Sequence, residues 1–525
     1  MTKLVSMARN ATSGILLFGC SAFVLVAGLE AQDTSRGAGT KSPVEKLLSP
    51  AESTAFVNVD VYVGDGTKLS QVTVLVEDGK IQKIGKDLQV PRSAKRIEGG
   101  VLTPGFVMLG STAGVRGGGA RPQPGPDQVI VIGGRRGRGM PMPTQSAPSS
   151  VPFTPNVKVA DKLDPRSQAL ADWLACGVTT HGVRPTEDGL SGIGAAIRPL
   201  GDDAKDLLLA EETFLWLGMT ASTSAKKSIR EGYEKAKALI EQRKKPPATK
   251  PEAEPAAKPT AEPAKPATGG EAPKKDTPEP KPTPTPTPTP KPTPTPTPQP
   301  TPAPQPKPAE APQGGQPANA TKPGEAKKPE APKEDPRHAV LARSIEGKLE
   351  LCLSVSGPGE VLHAMQALDG FDIPLLVYHP FRRGADATLD HVVDRLVKAK
   401  AKVICSVDLG SKAATTVLTN PIARLQEKGL EVTLVPGTRP DEAEAVWYRL
   451  NELVRNGSQA AKLVEALTLA PAKLLGVDKR VGSIEKGKDA NLLHFTHDPF
   501  GPTARLQNVW FEGRQVKNVK TKHGS

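Results

Sequence analysis

The sequence has little of what usually announces chemistry. It holds four cysteines in 525 residues. Loss of an N-terminal export signal leaves Cys176, Cys352 and Cys405, too few and too widely spaced for a disulfide framework. Buried thiols in strands are expected, with a Cys352–Cys405 pair as the alternative. Aromatic residues make up only 4%, which reflects in part a long segment with no core to fill. The apolar run from Ile15 to Ala27 falls short of the ~20 residues that span a bilayer. The formal net charge is +13, but the basic residues are scattered. Their one cluster, Arg135-Arg136-Gly137-Arg138, has no interleaved aromatics, so a solvated basic loop is expected there and no nucleic-acid partner. There is no Ser-His-Asp set with a nucleophile elbow and no glycine-rich phosphate loop on a strand–helix turn. The small-residue stretch Gly189-Leu190-Ser191-Gly192-Ile193-Gly194 is weak as a nucleotide motif.

What is abundant is proline (54) and glycine (50). More than half of the prolines lie between Pro246 and Asp335, around a Thr-Pro run, with Lys and Glu/Asp nearly balanced and apolar bulk absent. Such a segment cannot bury enough surface to offset its ordering entropy, and extended polyproline conformations are expected. It reads as a tolerated surface insertion, because loop closure costs grow slowly with length. A spacer or partner ligand is the alternative. At the N-terminus, Lys3 and Arg9 precede the apolar run, and Leu29-Glu30-Ala31 offers a cleavage site before Gln32. Residues 1–31 are therefore expected to direct export, to a periplasmic or extracellular location. Leu17-Phe18-Gly19-Cys20 is loosely similar to a lipoprotein box, but the apolar run continues past Cys20. Membrane attachment is expected only if the signal stays uncleaved or Cys20 is lipidated.

Residues 55–103 read as sheet. Val57, Val59, Val61 and Val63 alternate, Gly64-Asp65-Gly66 turns, Val72, Val74 and Val76 resume the alternation, and Asp78-Gly79 makes a tight hairpin. Residues 479–520 repeat the style, with a hairpin at Glu512-Gly513. Two sheet segments at opposite ends of a chain pair only if the middle returns to its start. Between them, short apolar runs (Leu351–Val355, Pro374–Tyr378, Val403–Val407, Val432–Val435) alternate with helical stretches such as Glu360–Leu368, Leu389–Lys398 and Glu442–Val454. Strands alternating with helices predict an α/β fold, a TIM-like (β/α)8 barrel over 104–245 and 336–478. The small β-sandwich of 55–103 and 479–520 sits beside it.

Three stretches carry a resemblance to the amidohydrolase superfamily, in particular its imidazolonepropionase-like members. One runs from Val74-Leu75-Val76-Glu77-Asp78-Gly79-Lys80-Ile81 through Pro104-Gly105-Phe106. The second is Leu467-Thr468-Leu469-Ala470-Pro471-Ala472-Lys473-Leu474-Leu475-Gly476. The third is Val481-Gly482-Ser483-Ile484-Glu485-Lys486-Gly487-Lys488-Asp489-Ala490-Asn491-Leu492. The resemblance covers most of the chain outside the signal and the two irregular insertions. It implies a barrel whose strand ends hold one or two catalytic metals, with an aspartate after the last strand as base.

The ligand positions depart from that pattern. Where the family carries His-x-His after the first strand, this chain has Gly110 and Thr112, preceded by Met108. Ser354 and Ser356 stand at a second His-x-His, and Arg439 stands at the aspartate. His379 alone is retained. A catalytic zinc needs about three protein ligands, and a guanidinium at ~4 Å opposes each unit of cation charge by about 4 kcal/mol at an effective dielectric of ~20. The resemblance thus implies an exported, metal-free pseudoenzyme with no cofactor. Gly110, Thr112, Ser354, Ser356, His379 and Arg439 would line the vacated pocket, and Arg439 would attract a small anionic ligand. A homo-oligomer, or a hetero-oligomer with an active homologue, is a further expectation. The alternative is a hydrolase of non-peptide C–N bonds using zinc or another divalent metal at a rearranged site of His379, His181 and Asp441.

Overall fold

The computed structural model describes residues 41–117, 152–219, 222–244, 334–381, 389–412 and 415–519. The expected export signal, the Arg135–Arg138 cluster and nearly all of the proline-rich segment lie outside the described residues. Asp335, expected at the end of that segment, instead caps the helix Pro336–Ile345, accepting from the Arg337 N–H at 2.9 Å. The helix Thr223–Lys244 precedes the segment, and its Arg243 Nε donates to Glu334 at 3.0 Å. The two described ends of the insertion are therefore clasped together.

The chain termini share one eight-stranded sheet. Its order runs Arg514–Gln515, Leu506–Phe511, Leu492–Phe495, Val101–Pro104, Thr54–Tyr62, Lys68–Glu77, Lys80–Gly85, with Lys95–Glu98 also paired to Thr54–Tyr62. The closing seam is antiparallel, Leu492 opposite Pro104 and Phe495 opposite Val101. Both expected hairpins have positive φ at the two turn residues, Asp78 and Gly79, and Glu512 and Gly513, as a type I′ turn requires. One alternation fails. Asn58 adopts φ 53° at a register shift between Phe56 and Val59. The bulge puts Phe56 with Val59 and Val61 in one apolar cluster and moves Val57 to the other.

The middle of the chain is mixed α/β. The strands Phe214–Gly218, Glu350–Ser354, Leu375–His379, Lys402–Ser406 and Val432–Val435 pair in parallel in that order. Phe106–Ser111 pairs in parallel with Val178–Val183. Between these two sets runs Gly189–Ile193 with Ala195–Ile197, antiparallel to both neighbours. Seven strands are thus parallel and one is reversed, which departs from the all-parallel barrel expected. Among the described residues no hydrogen-bonded pairing joins 432–435 to 106–111.

Both faces of these strands are buried, so they are apolar almost throughout. Alternate residues form an inner cluster that includes Val107, Leu109, Phe214, Trp216, Leu376, Tyr378 and Ile404. The others, such as Leu215, Leu353, Val377 and Val403, join the larger core formed with the helices. Cys352 belongs to the inner cluster and Cys405 to the outer one, with the 375–379 strand between them. Both are free buried thiols, so the Cys352–Cys405 pair is not formed. Expected as one helix, 442–454 is two, Pro440–Glu444 and Val446–Arg455. Trp447 of the second packs on Phe106 at 5.4 Å and on Phe495 at 4.6 Å, joining the strand set to the terminal sheet.

Candidate functional site

The strand Phe106–Ser111 delivers Gly110 to the C-terminal ends of the parallel strands. Gly110 has φ +74°, and a Cβ built on it would lie 2.6 Å from the Tyr378 ring. Glycine is therefore required twice there, by backbone conformation and by space. A histidine cannot stand where the family's first ligand stands, because Tyr378 already fills the position.

Tyr378 is 5% exposed. Its ring meets the Trp216 indole edge-on at 5.3 Å, and the Arg184 guanidinium lies 4.7 Å from the Trp216 ring. Arg184 follows the strand Val178–Val183 directly. Its Nε donates to the Gly110 carbonyl at 3.2 Å and its Nη1 to the Pro185 carbonyl at 2.8 Å. Cation–π contact of this kind contributes about 0.5–2 kcal/mol and fixes the plane of the guanidinium.

Beside this stack is a cavity of about 210 Å³. Its polar wall is Arg184, Ser111, Thr112, Ser354, Tyr378 and Thr438, and its apolar wall is Met108, Trp173 and Pro380. Burial pushes the Tyr378 phenol up to about 12, against the pull of Arg184, so it stays a neutral donor. Ser111 Oγ accepts from the Ala113 N–H at 3.1 Å and lies 3.2 Å from His181 Nδ1. The hydroxyl and the ring nitrogen share one hydrogen bond, and the ring is otherwise enclosed. Burial alone holds His181 down at about 3, so the ring is neutral.

Of the expected pocket residues, Gly110, Thr112 and Ser354 come together in this cavity. The other three do not. His379 follows Tyr378 on the strand and takes the opposite face, with Val377; its Nδ1 donates to the Val355 carbonyl at 3.2 Å and its ring packs on Phe381. Ser356 is exposed, and its N–H binds Glu360. Arg439 is 60% exposed, paired with Asp441 at 2.8 Å, so it supplies no charge to the cavity. The alternative set fails as well: His181 is fully enclosed, His379 faces the helices, and the half-exposed Asp441 is occupied by Arg439. The cation of the cavity is Arg184, which sequence reasoning missed along with Ser111, Tyr378 and Thr438. No signal in the sequence separates the inward phase of Leu376 and Tyr378 from the opposite phase of Val377 and His379.

The ligand set of a catalytic metal does not fit these residues. Among the described residues no three His, Cys, Asp or Glu side chains gather at metal-binding separation. The nearest donors to the Gly110 position are a protonated phenol and neutral hydroxyls, which are poor zinc ligands.

Residues 441–521 match the model of the amidohydrolase family. The fold is similar to that of an amidohydrolase from Thermotoga maritima MSB8 (TM-score 0.57, 18% identity), over 88% of this chain and 99% of the other. Two weaker likenesses are a β-aspartyl dipeptidase from Fervidobacterium islandicum AW-1 (TM-score 0.43, 11% identity, 91% and 99% covered) and an enamidase (0.41, 14%, 89% and 96%). No curated protein sequence matches the chain. The family match covers only the C-terminal part of the chain, and the likeness to the Thermotoga maritima protein is one of fold. The fold of this chain is accordingly TIM-barrel-like.

Proposed function

We propose that this protein is a metal-free member of the amidohydrolase superfamily that binds a ligand at the strand ends instead of hydrolysing a substrate there. The observation that carries this is the Tyr378 ring, 2.6 Å from where a side chain at Gly110 would begin. A ligand position that is merely unoccupied by histidine can be refilled by a neighbour; one filled by an aromatic ring cannot. In the finer architecture that accompanies this function, the eight strands of 104–245 and 336–478 close as a barrel. Residues 55–103 and 479–520 curl into a β-sandwich beside it. Residues 1–31 direct export to the periplasm or beyond, so the mature chain begins near Gln32, and a partner is a second copy or an active homologue.

The test is elemental analysis of the purified full chain for zinc, iron, manganese and nickel, with amide and cyclic-imide hydrolysis assayed with and without chelator. Substoichiometric metal and no chelator-sensitive turnover are expected. Stoichiometric metal with chelator-sensitive hydrolysis would overturn the proposal.

A further inference from the structure

We infer that the 210 Å³ cavity at the strand ends is a site for a short-chain monocarboxylate, gripped by Arg184 and oriented by the hydroxyls of Tyr378 and Ser354. This rests on the metal-free reading above and names the ligand of that same site. Three observations carry it.

The first is an unfinished guanidinium. Nε and Nη1 of Arg184 are anchored to the carbonyls of Gly110 and Pro185, and the plane lies over Trp216. Its Nη2 has no hydrogen bond among the described residues, and no carboxylate pairs with it there. Nη2, with the second N–H of Nη1 beside it, can meet the two oxygens of a carboxylate in a fork. The backbone anchors hold these donors in place before any ligand arrives.

The second is a donor aimed at the same space. Tyr378 is nineteen-twentieths buried, lines the cavity, and its hydroxyl makes no hydrogen bond among the described residues. Ser354 lines the cavity beside it, equally without a partner there. Both residues line the cavity, where a carboxylate lone pair can accept from either hydroxyl.

The third is size and polarity. At ~30 Å³ per water, 210 Å³ is the room of about seven waters, well below a drug-sized site. The remaining wall of Met108, Trp173 and Pro380 is apolar. One charged end and a short hydrocarbon end fit this wall. A polyanion would meet a single cation.

The experiment titrates acetate, propionate and butyrate into the chelator-treated full chain, followed by calorimetry and tryptophan fluorescence. Inorganic phosphate serves as the tetrahedral comparator. Saturable 1:1 binding of at least one carboxylate is expected, with phosphate weaker. Arg184→Met should weaken it by at least about tenfold, and Tyr378→Phe, which keeps the ring, by several-fold. Arg439→Met should change it less than twofold. No saturation into the tens of millimolar, phosphate binding as tightly as the carboxylates, or equal losses in the Arg184 and Arg439 variants would each overturn the inference. If Arg184→Met does not fold, unchanged affinity in folded Tyr378→Phe overturns it. Metal analysis of the same sample separates the two failures. Metal-free protein that ignores carboxylates sinks only this inference, whereas stoichiometric metal sinks the reading beneath it.

Discussion

The two ends of the strand set handle charge in opposite ways. At the N-terminal ends of 214–218, 350–354, 402–406 and 432–435 lies an open cavity of about 690 Å³. Its charges largely neutralise one another: Glu350 with Lys402 at 2.9 Å, Glu465 with Lys462 at 2.8 Å, and Glu212 between Lys158 and Arg343. At the C-terminal ends a much smaller cavity holds one half-buried guanidinium facing neutral hydroxyls. The larger cavity has more ionisable groups, yet compensated charges at a wet surface need no ligand. A guanidinium with no carboxylate partner beside an apolar wall leaves an N–H for an anion to take, which is what the proposed site uses. Size and charge count therefore point to the wrong end; pairing points to the right one.

The sharpest way to break this contrast is Gly110→His. It places a side chain at φ +74° and against the Tyr378 ring, two costs of ~1–3 kcal/mol each. A loss of about 3 kcal/mol or more is expected in chemical unfolding, and an unchanged midpoint would mean that the C-terminal mouth is not filled as described.

Acid should act next, through His181 beneath Ser111. Its folded value of about 3 lies below the ~6.5 of an unfolded histidine. The unfolded chain binds the extra proton between these values. Stability is therefore full above pH 6.5 and falls as pH drops toward 3, by up to ~1.4 kcal/mol per pH unit. Burial shifts His379 and His494 the same way. Denaturation midpoints between pH 7 and pH 5 should fall less steeply in His181→Asn than in the wild type. Parallel slopes would remove His181 from the account.

At the opposite end, Lys402→Met removes a pair whose members are about a third exposed. Such pairs contribute ~0.2–1 kcal/mol before screening, so the shift in melting temperature should be small and should shrink further in salt. A large, salt-insensitive loss would mean that these charges are structural after all. Smallest of all is Arg439→Met, a surface change expected within ~0.5 kcal/mol of wild type.

The terminal sheet was legible because its signals are local. Asp78-Gly79 and Glu512-Gly513 turn between alternating apolar runs, and the four apolar runs after residue 350 lie within a residue or two of real strands. The reversed strand of Gly189–Ile193 and Ala195–Ile197 was hidden by its glycines, which suggest a loop. The bulge at Asn58 was equally invisible, since nothing in the valine spacing marks an extra residue. The site failed for a different reason. In a strand buried on both faces the apolar residues run on without alternation, so the sequence locates 375–379 without saying whether Tyr378 or His379 faces inward. Arg439 stands where the resemblance places an aspartate, but only three dimensions reveal that its side chain turns outward and that Arg184 turns in.

The seam between the ends of the chain sets a timetable for folding. His494 reaches the Gly99 carbonyl at 3.0 Å across a separation of 395 residues. The Val101–Pro104 strand, made early by the ribosome, gains its Leu492–Phe495 neighbour only when nearly the whole chain has emerged. Until then its edge is open to any other strand, a known route to mispairing. Loss of residues 492–525 should therefore harm strands near the beginning of the chain first.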